Sequence, residues 1–163
     1  MRIALIHALR HSPPAIEEAF SRLWSTPTLM NLLDDSLSAD LARDGALTPA
    51  MTTRFLTLAE YAVSTGADAI LFTCSAFGAC IDAVVAAHPT IPVLKPNEAM
   101  IEEAKAAGTR IGLLATFAGT LTSMPAECSS RTMYLNSPTC APGLLSAEYA
   151  ACGAKKPRVE YPQ

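Results

Sequence analysis

The stretch GADAILFTCSAFGACIDAV, residues 66–84, decides the fold of this chain. Gly66 ends a helical pattern, and the apolar run Ala69–Phe72 that follows is typical of a buried strand in a parallel sheet. A polar triplet centred on Cys74 comes next, and a helix is predicted over about Ala79–Ala87. A strand, a polar turn and a helix in this order are the repeating unit of an α/β fold.

The same alternation continues on both sides of this stretch. Helix starts are predicted at Ser12, Thr48 and Asn97, because these residue types cap helices. The residues Asp34–Gly45 are predicted to form a polar loop. Four further strands are predicted at Arg2–Ile6, Thr28–Leu33, Ile91–Leu94 and Ile111–Ala115. The sequence therefore predicts an α/β protein with a parallel sheet and flanking helices.

Polar residues follow the predicted strands, and chemistry in parallel sheets collects at the carboxyl ends of the strands. The residues expected at this edge are His7, Asp34, Asp35, Thr73, Cys74, Ser75, Lys95 and residues 116–120. A solvated loop or a helix cap explains the two aspartates at least as well as catalysis does. A lone lysine before a proline is usually a solvated surface residue.

Composition indicates a globular protein of a reducing compartment. Half of the residues are hydrophobic and 17% are charged, which supplies material for a core. The net charge of −3 gives no basic footprint for nucleic acid, and no apolar run approaches the roughly 20 residues that span a bilayer. Five cysteines, an odd number, favour free thiols. We therefore expect a cytoplasmic protein without nucleic-acid or membrane partners.

The alternating pattern stops after about Glu127. Residues 128–163 carry Cys128, Cys140 and Cys152 at intervals of twelve, but no histidine accompanies them. This disfavours a metal site. With no strand–helix alternation continuing, an irregular tail is expected.

Three segments resemble the aspartate/glutamate/hydantoin racemase superfamily, which also contains arylmalonate decarboxylase and maleate isomerase. They are the stretch quoted above, IPVLKPNEAM (residues 91–100) and RIGLLATFAGTLTSM (residues 110–124). The resemblance covers about residues 1–127. It implies two similar Rossmann-like α/β lobes with the substrate between them and, in the racemases, one catalytic cysteine in each lobe.

The resemblance divides the chain into three parts. Residues 1–95 match a first lobe that carries Cys74, and residues 96–127 match the start of a second lobe. Residues 128–163 are unmatched, where the second cysteine should lie. A frameshifted or truncated reading frame is the expected explanation.

Cys74 is the main candidate for chemistry. Backbone donors and the positive end of the following helix should lower the pKa of this thiol below the reference value of about 8.5. A thiolate so placed could remove or return a proton alpha to a carboxylate. The alternative is a buried structural thiol, which is the expected role of Cys80 inside the helix.

The resemblance implies that hydroxyl groups near Cys74 bind a substrate carboxylate and stabilise the enediolate. The matching residues here are Thr73, Ser75, Thr116 and Thr120. His7 lies where the racemases place a polar helper after the first strand. Helix caps and a surface-loop histidine are the structural alternatives.

The activity implied by the resemblance is that of a cofactor-independent racemase or isomerase, with a small carboxylate such as an amino acid as substrate. No phosphate loop or ligand cluster is present in the sequence, so no cofactor and no metal are expected. Alternatives stay open: a lyase similar to arylmalonate decarboxylase, an enzyme similar to maleate isomerase, or a non-catalytic remnant that binds carboxylates. Whether the chain is active with an incomplete second lobe stays open. A homo-oligomer also stays open.

Overall fold

A four-stranded parallel sheet forms the centre of the fold. In this computed structural model the described residues are 1–108 and the strands Arg110–Leu114 and Thr132–Asn136. The sheet comprises β1 (Arg2–His7), β2 (Thr28–Leu33), β3 (Ala69–Phe72) and β4 (Val93–Leu94). Their order is β2-β1-β3-β4, and every neighbouring pair is parallel. The predicted α/β fold with a parallel sheet is confirmed.

The last strand of this sheet is shorter than the predicted Ile91–Leu94. Pro92 has no N–H group and cannot donate to the ladder, although its carbonyl accepts a bond of 2.9 Å from the N–H of Ile70. Regular pairing therefore begins only at Val93, which lies opposite Ile70.

Helices connect the strands as the sequence predicts, with one addition. Within the described residues they are α1 (Ser12–Leu23), α2 (Leu37–Asp44), α3 (Pro49–Ser64), α4 (Gly78–Ala87) and α5 (Glu98–Ala107), and a 3₁₀ turn over Ser75–Phe77 precedes α4. Thr48 caps α3 as predicted, because its Oγ1 accepts a bond of 3.3 Å from the N–H of Met51. Ser12 is the first residue of α1 rather than its cap.

The prediction of a polar loop over Asp34–Gly45 is wrong, because α2 occupies most of it. Leu37 and Leu41, four residues apart, are both buried against the core. Gly45 ends the helix with φ of +70°, a left-handed conformation that glycine adopts without strain. The helix is stabilised by this tertiary burial rather than by its own polar composition.

Side chains of alternate strand residues enter two different clusters. Ala4, Ile6, Ile70 and Phe72 pack into the larger cluster, which is completed from α2, α3 and α4. Within it, the ring of Phe55 stacks on the ring of Phe72, with centroids 5.1 Å apart, and lies tilted against the ring of Phe77, with centroids 5.0 Å apart.

The opposite face of the sheet carries the smaller cluster. Ile3, Leu5 and Ala69 form it, and Ile16 and Phe20 of α1 pack against it. The sheet therefore separates α1 from α2, α3 and α4.

A second sheet contains β5 (Arg110–Leu114) and β6 (Thr132–Asn136), which run parallel. β5 confirms the predicted strand with its bounds shifted by one residue. β6 lies inside the segment that was expected to be irregular, and the sequence did not predict it. The division of the chain at residues 95 and 127 stays a prediction.

Candidate functional site

Cys74 follows β3, one of the two inner strands of the sheet, which is hydrogen bonded to β1 on one side and β4 on the other. The ladder continues one residue past the strand, because the N–H of Thr73 donates to the carbonyl of Ile6 at 3.0 Å. Cys74 itself is extended, and the chain then enters the 3₁₀ turn and α4. Cys74 therefore lies at the carboxyl edge of the sheet, as the sequence predicts.

The thiol of Cys74 is half-buried and packs against the larger core cluster. Burial raises its pKa above the ordinary value, although hydrogen bonds with the backbone of Ala76 and the side chain of Ser38 act in the opposite direction. The expectation of an unusually acidic thiol is therefore wrong. Donors are present as expected, but removal from water outweighs them, so the resting form at neutral pH is the thiol.

Ser38 is the residue of this site that the sequence did not identify. It lies on α2, only 8% exposed, and its hydroxyl donates to the carbonyl of Ala8 at 3.0 Å. Because the segment was predicted to be a loop, only Asp34 and Asp35 at its start were expected at this edge of the sheet. The spacing of Leu37 and Leu41 was the signal that could have revealed the helix.

His7 is the last residue of β1 and is 1% exposed, so it is not a surface-loop histidine. Its Nδ1 lies 2.8 Å from Oγ1 of Thr73, and its Nε2 lies 2.9 Å from Oδ1 of Asn31. Both ring nitrogens therefore have partners within the protein. The geometry favours a role in holding Thr73 over direct contact with a ligand.

The thiol and the histidine belong to opposite faces of the sheet. Cys74 packs with the cluster of α2, α3 and α4, whereas the side chains at His7 and Asn31 follow Leu5 and Leu29 on the α1 face. Thr73 joins the second group through its bond to His7. A ligand at the edge of the sheet would meet the two groups from different sides.

The remaining predicted residues are placed as follows. Ser75 begins the 3₁₀ turn directly after Cys74 and is half-buried. Thr116 and Thr120 lie outside the described residues. Lys95 forms an ion pair of 2.7 Å with Asp82 and its side chain is only 19% exposed, so it is not the solvated surface lysine that was expected.

A cluster of ion pairs fixes α2 next to the site. Arg54 of α3 donates to the carboxylate of Asp34, to Asp40 at 2.6 Å and to the hydroxyl of Ser36. Burial raises the pKa of Asp34, but the hydrogen bonds from Arg54 and Ser36 and the charge of Arg54 together lower it below the ordinary value. Asp34 is therefore a structural ion-pair partner of Arg54, rather than the solvated loop residue or helix cap that was expected as the alternative to catalysis.

Cys80 is a packing residue, as predicted. It is 0% exposed in the larger cluster, and its sulfur lies 3.5 Å from Oγ1 of Thr52. Burial raises the pKa of this thiol, and the bond with Thr52 only partly offsets the effect. Cys80 thus provides an internal comparison for Cys74: a second free thiol beside a hydroxyl, but without exposure.

The described part of the chain has a pocket away from Cys74, but no metal site and no membrane-spanning helix. A shallow pocket is lined by Lys95, Glu98, Ile101, Glu102 and Lys105, and it includes none of the residues around Cys74. Among the residues that the structure describes, no group of histidine, cysteine and carboxylate side chains could hold a metal ion. No helix of this part is long and apolar enough to cross a membrane.

The parallel sheet with flanking helices makes this chain an α/β protein with a thiol at the end of a strand. Comparison with known families shows which family of α/β proteins it belongs to. The family model for Asp/Glu/hydantoin racemases matches residues 2–133. The chain belongs to this family. No curated protein sequence matches it.

Solved structures agree on the fold. Glutamate racemase from Aquifex pyrophilus is 19% identical with a TM-score of 0.64, and the match covers 92% of this chain and 62% of that one. A glycine-to-cysteine mutant of arylmalonate decarboxylase, in a sulfate-associated form, is 15% identical with a TM-score of 0.56, covering 91% and 66%. The chain thus spans less than two thirds of the length of either structure.

Proposed function

We propose that this chain contributes Cys74 to a cofactor-independent racemase or isomerase, which transfers a proton at the alpha carbon of a small carboxylate. One observation carries the proposal: a half-buried thiol follows an inner strand of the sheet and has two hydrogen-bonding partners, Ala76 and Ser38. Membership of the racemase family supplies the reaction type.

Proton transfer by Cys74 needs both forms of its side chain. As a thiolate, the sulfur takes the alpha proton, and the electron pair of the C–H bond moves into the adjacent carboxylate to give an enediolate. As a thiol, it returns a proton to the same carbon. Because burial raises the pKa of Cys74, the resting enzyme holds the acid form. The partners at Ser38 and Ala76 favour the thiolate and so lower the cost of reaching the base form.

A thiol on one side of the substrate is sufficient for exchange of the alpha proton with solvent. Inversion needs a second acid on the opposite face, and the racemase mechanism assigns that role to a cysteine of the other lobe. Ser75, Thr116 and Thr120 are proposed as carboxylate ligands. For His7 we propose an indirect role through Thr73, since both of its ring nitrogens have protein partners.

Deuterium exchange tests the proposal. The protein is incubated in D₂O with a panel of small carboxylates and amino acids, and loss of the alpha-proton signal is followed by NMR. We expect exchange with at least one compound, abolition in Cys74→Ser because a hydroxyl is far too weak an acid, and retention in the matched variant Cys80→Ser. Exchange that persists in Cys74→Ser would refute the assignment.

The same panel separates the alternatives. Release of CO₂ from a substituted malonate without exchange on other compounds would indicate a lyase. Binding of a carboxylate that protects Cys74 from alkylation, with neither exchange nor CO₂ release, would indicate a carboxylate-binding module.

A further inference from the structure

A chain of hydrogen bonds connects the residue next to Cys74 with the surface of α1. Oγ1 of Thr73 lies 2.8 Å from Nδ1 of His7, and Nε2 of His7 lies 2.9 Å from Oδ1 of Asn31. Nδ2 of Asn31 donates to Oε1 of Glu17 at 2.5 Å. The chain begins at the candidate site, passes through a buried imidazole and ends at an exposed carboxylate.

The carboxylate of Glu17, at the far end of this series of hydrogen bonds, sets the direction of every bond in it. An ionised carboxylate has only acceptors, so Glu17 requires the NH₂ group of Asn31. The amide oxygen of Asn31 must then face His7, which in the neutral imidazole places the ring hydrogen on Nε2. Nδ1 is left with a lone pair, and it can only accept from the hydroxyl of Thr73.

Within the described residues, the carbonyl of Ile6 competes with His7 as an acceptor for the Thr73 hydroxyl. That oxygen lies 3.4 Å from Oγ1 and already accepts from the N–H of Thr73 at 3.0 Å. Nδ1 of His7 is closer, at 2.8 Å, and its ring is almost completely buried. A buried acceptor without a donor is costly, so the single hydrogen of the hydroxyl belongs to His7.

We infer that Glu17 is a positioning residue: through Asn31 and His7 it turns the hydroxyl hydrogen of Thr73 inward and leaves only oxygen lone pairs toward the edge of the sheet. Thr73 then cannot donate to a substrate carboxylate, contrary to the sequence-based expectation. It can accept from an N–H or O–H group of a ligand. The statement about a ligand rests on the proposed function, whereas the direction of the hydrogen bonds does not.

The position of the ring hydrogen on His7 tests this inference directly. At a pH where the imidazole is neutral, ¹⁵N NMR distinguishes the N–H nitrogen from the bare nitrogen, and comparison with His7→Asn assigns the signals. We expect the N–H form at Nε2 in the wild-type protein. In Glu17→Gln an amide can also donate, so Asn31 can turn over and the N–H signal should move toward Nδ1.

A matched control and a rescue variant complete the design. Glu18 neighbours Glu17 on α1 and pairs with Arg22 outside the chain of bonds, so Glu18→Gln should leave the wild-type pattern unchanged. Adding Asn31→Asp to Glu17→Gln restores an obligatory acceptor opposite Nε2 and should restore the wild-type signal.

Two results would overturn the inference. One is an N–H group at Nδ1 in the wild-type protein, and the other is a Glu17→Gln spectrum identical to that of the wild type. Neither measurement depends on turnover. Failure of alpha-proton exchange would therefore refute the proposed function without affecting this inference. An unexpected position of the ring hydrogen on His7 would refute this inference without affecting the proposed function.

Discussion

Removal of the Ser38 hydroxyl should make Cys74 a poorer nucleophile near neutral pH. Ser38 is buried on α2, donates to the carbonyl of Ala8 and hydrogen bonds with the Cys74 thiol. Its single hydrogen can serve only one acceptor at a time. When Cys74 ionises, that hydrogen can leave the carbonyl and bind the sulfur.

The magnitude follows from the difference between the two bonds. A hydrogen bond to a charged group contributes about 1.5–3 kcal/mol, and a neutral one contributes about 1 kcal/mol. The net stabilisation of the thiolate is therefore about 1 kcal/mol. Since 1.4 kcal/mol corresponds to a factor of ten, Ser38→Ala should lower the thiolate fraction, and with it the rate of alkylation, about fivefold.

The assay is alkylation of the native protein by iodoacetamide as a function of pH, with the modified cysteine located by mass spectrometry. The midpoint of the profile should move to higher pH in Ser38→Ala. The limiting rate at high pH reports access to the sulfur and should stay the same. A looser α2 would instead raise the limiting rate, so the two effects are separable.

Thr52→Ala provides the matched control, because it removes a hydroxyl from Cys80 in the same way. It should leave the profile of Cys74 unchanged, and Cys80 should stay unreactive in every native variant because it is fully buried. An unchanged midpoint in folded Ser38→Ala would refute the argument that Ser38 stabilises the thiolate.

Three further predictions concern stability. The pKa of Asp34 is lowered in the folded state, so the stability that its charge contributes is complete above the ordinary value of 3.8 and is lost as the pH falls through the lower folded pKa. Arg54→Met should lower the free energy of unfolding by about 1 kcal/mol at neutral pH and should flatten this acid dependence in urea titrations. Gly66→Ala should lower the free energy of unfolding by about 1 kcal/mol, because φ at Gly66 is +80°. The control Gly108→Ala should lower it far less, because φ there is 177° and no neighbouring atom lies within 4 Å. Equal losses of stability would contradict the role of the left-handed conformation. Phe55→Ala should cost about 3–5 kcal/mol in denaturant unfolding, because its ring is 2% exposed and contacts two other rings; a loss under 1 kcal/mol would show that the cluster can collapse around the gap.

The strands could be predicted because their signal is local. The runs Thr28–Leu33 and Ala69–Phe72 have the predicted bounds, because each is a short and mostly apolar run in a parallel sheet. Prediction failed where tertiary contacts decide the outcome. α2 has the composition of a loop, and it is helical because two leucines are buried and Arg54 binds the carboxylates around it.

The candidate site was predictable only in its centre. Cys74 could be placed at the sheet edge because it follows a strand, but its pKa depends on how much water the fold removes, which no spacing reveals. Ser38 and Cys74 are far apart in the sequence, as are His7 and its partner Thr73. Contacts of this kind arise from strand order and helix packing, so they became visible only in the structure.

The inner position of β3 has a consequence for motion. Its backbone is hydrogen bonded on both sides, so its amides should exchange with solvent only when the whole domain unfolds. In contrast, Ile101 is the only buried residue of α5, and amides there should exchange through local opening. The sulfur of Cys74 is thus held by one of the least mobile segments of the described chain. Any ligand must adjust its own position to the sulfur, and any closure around the ligand must come from segments other than β3.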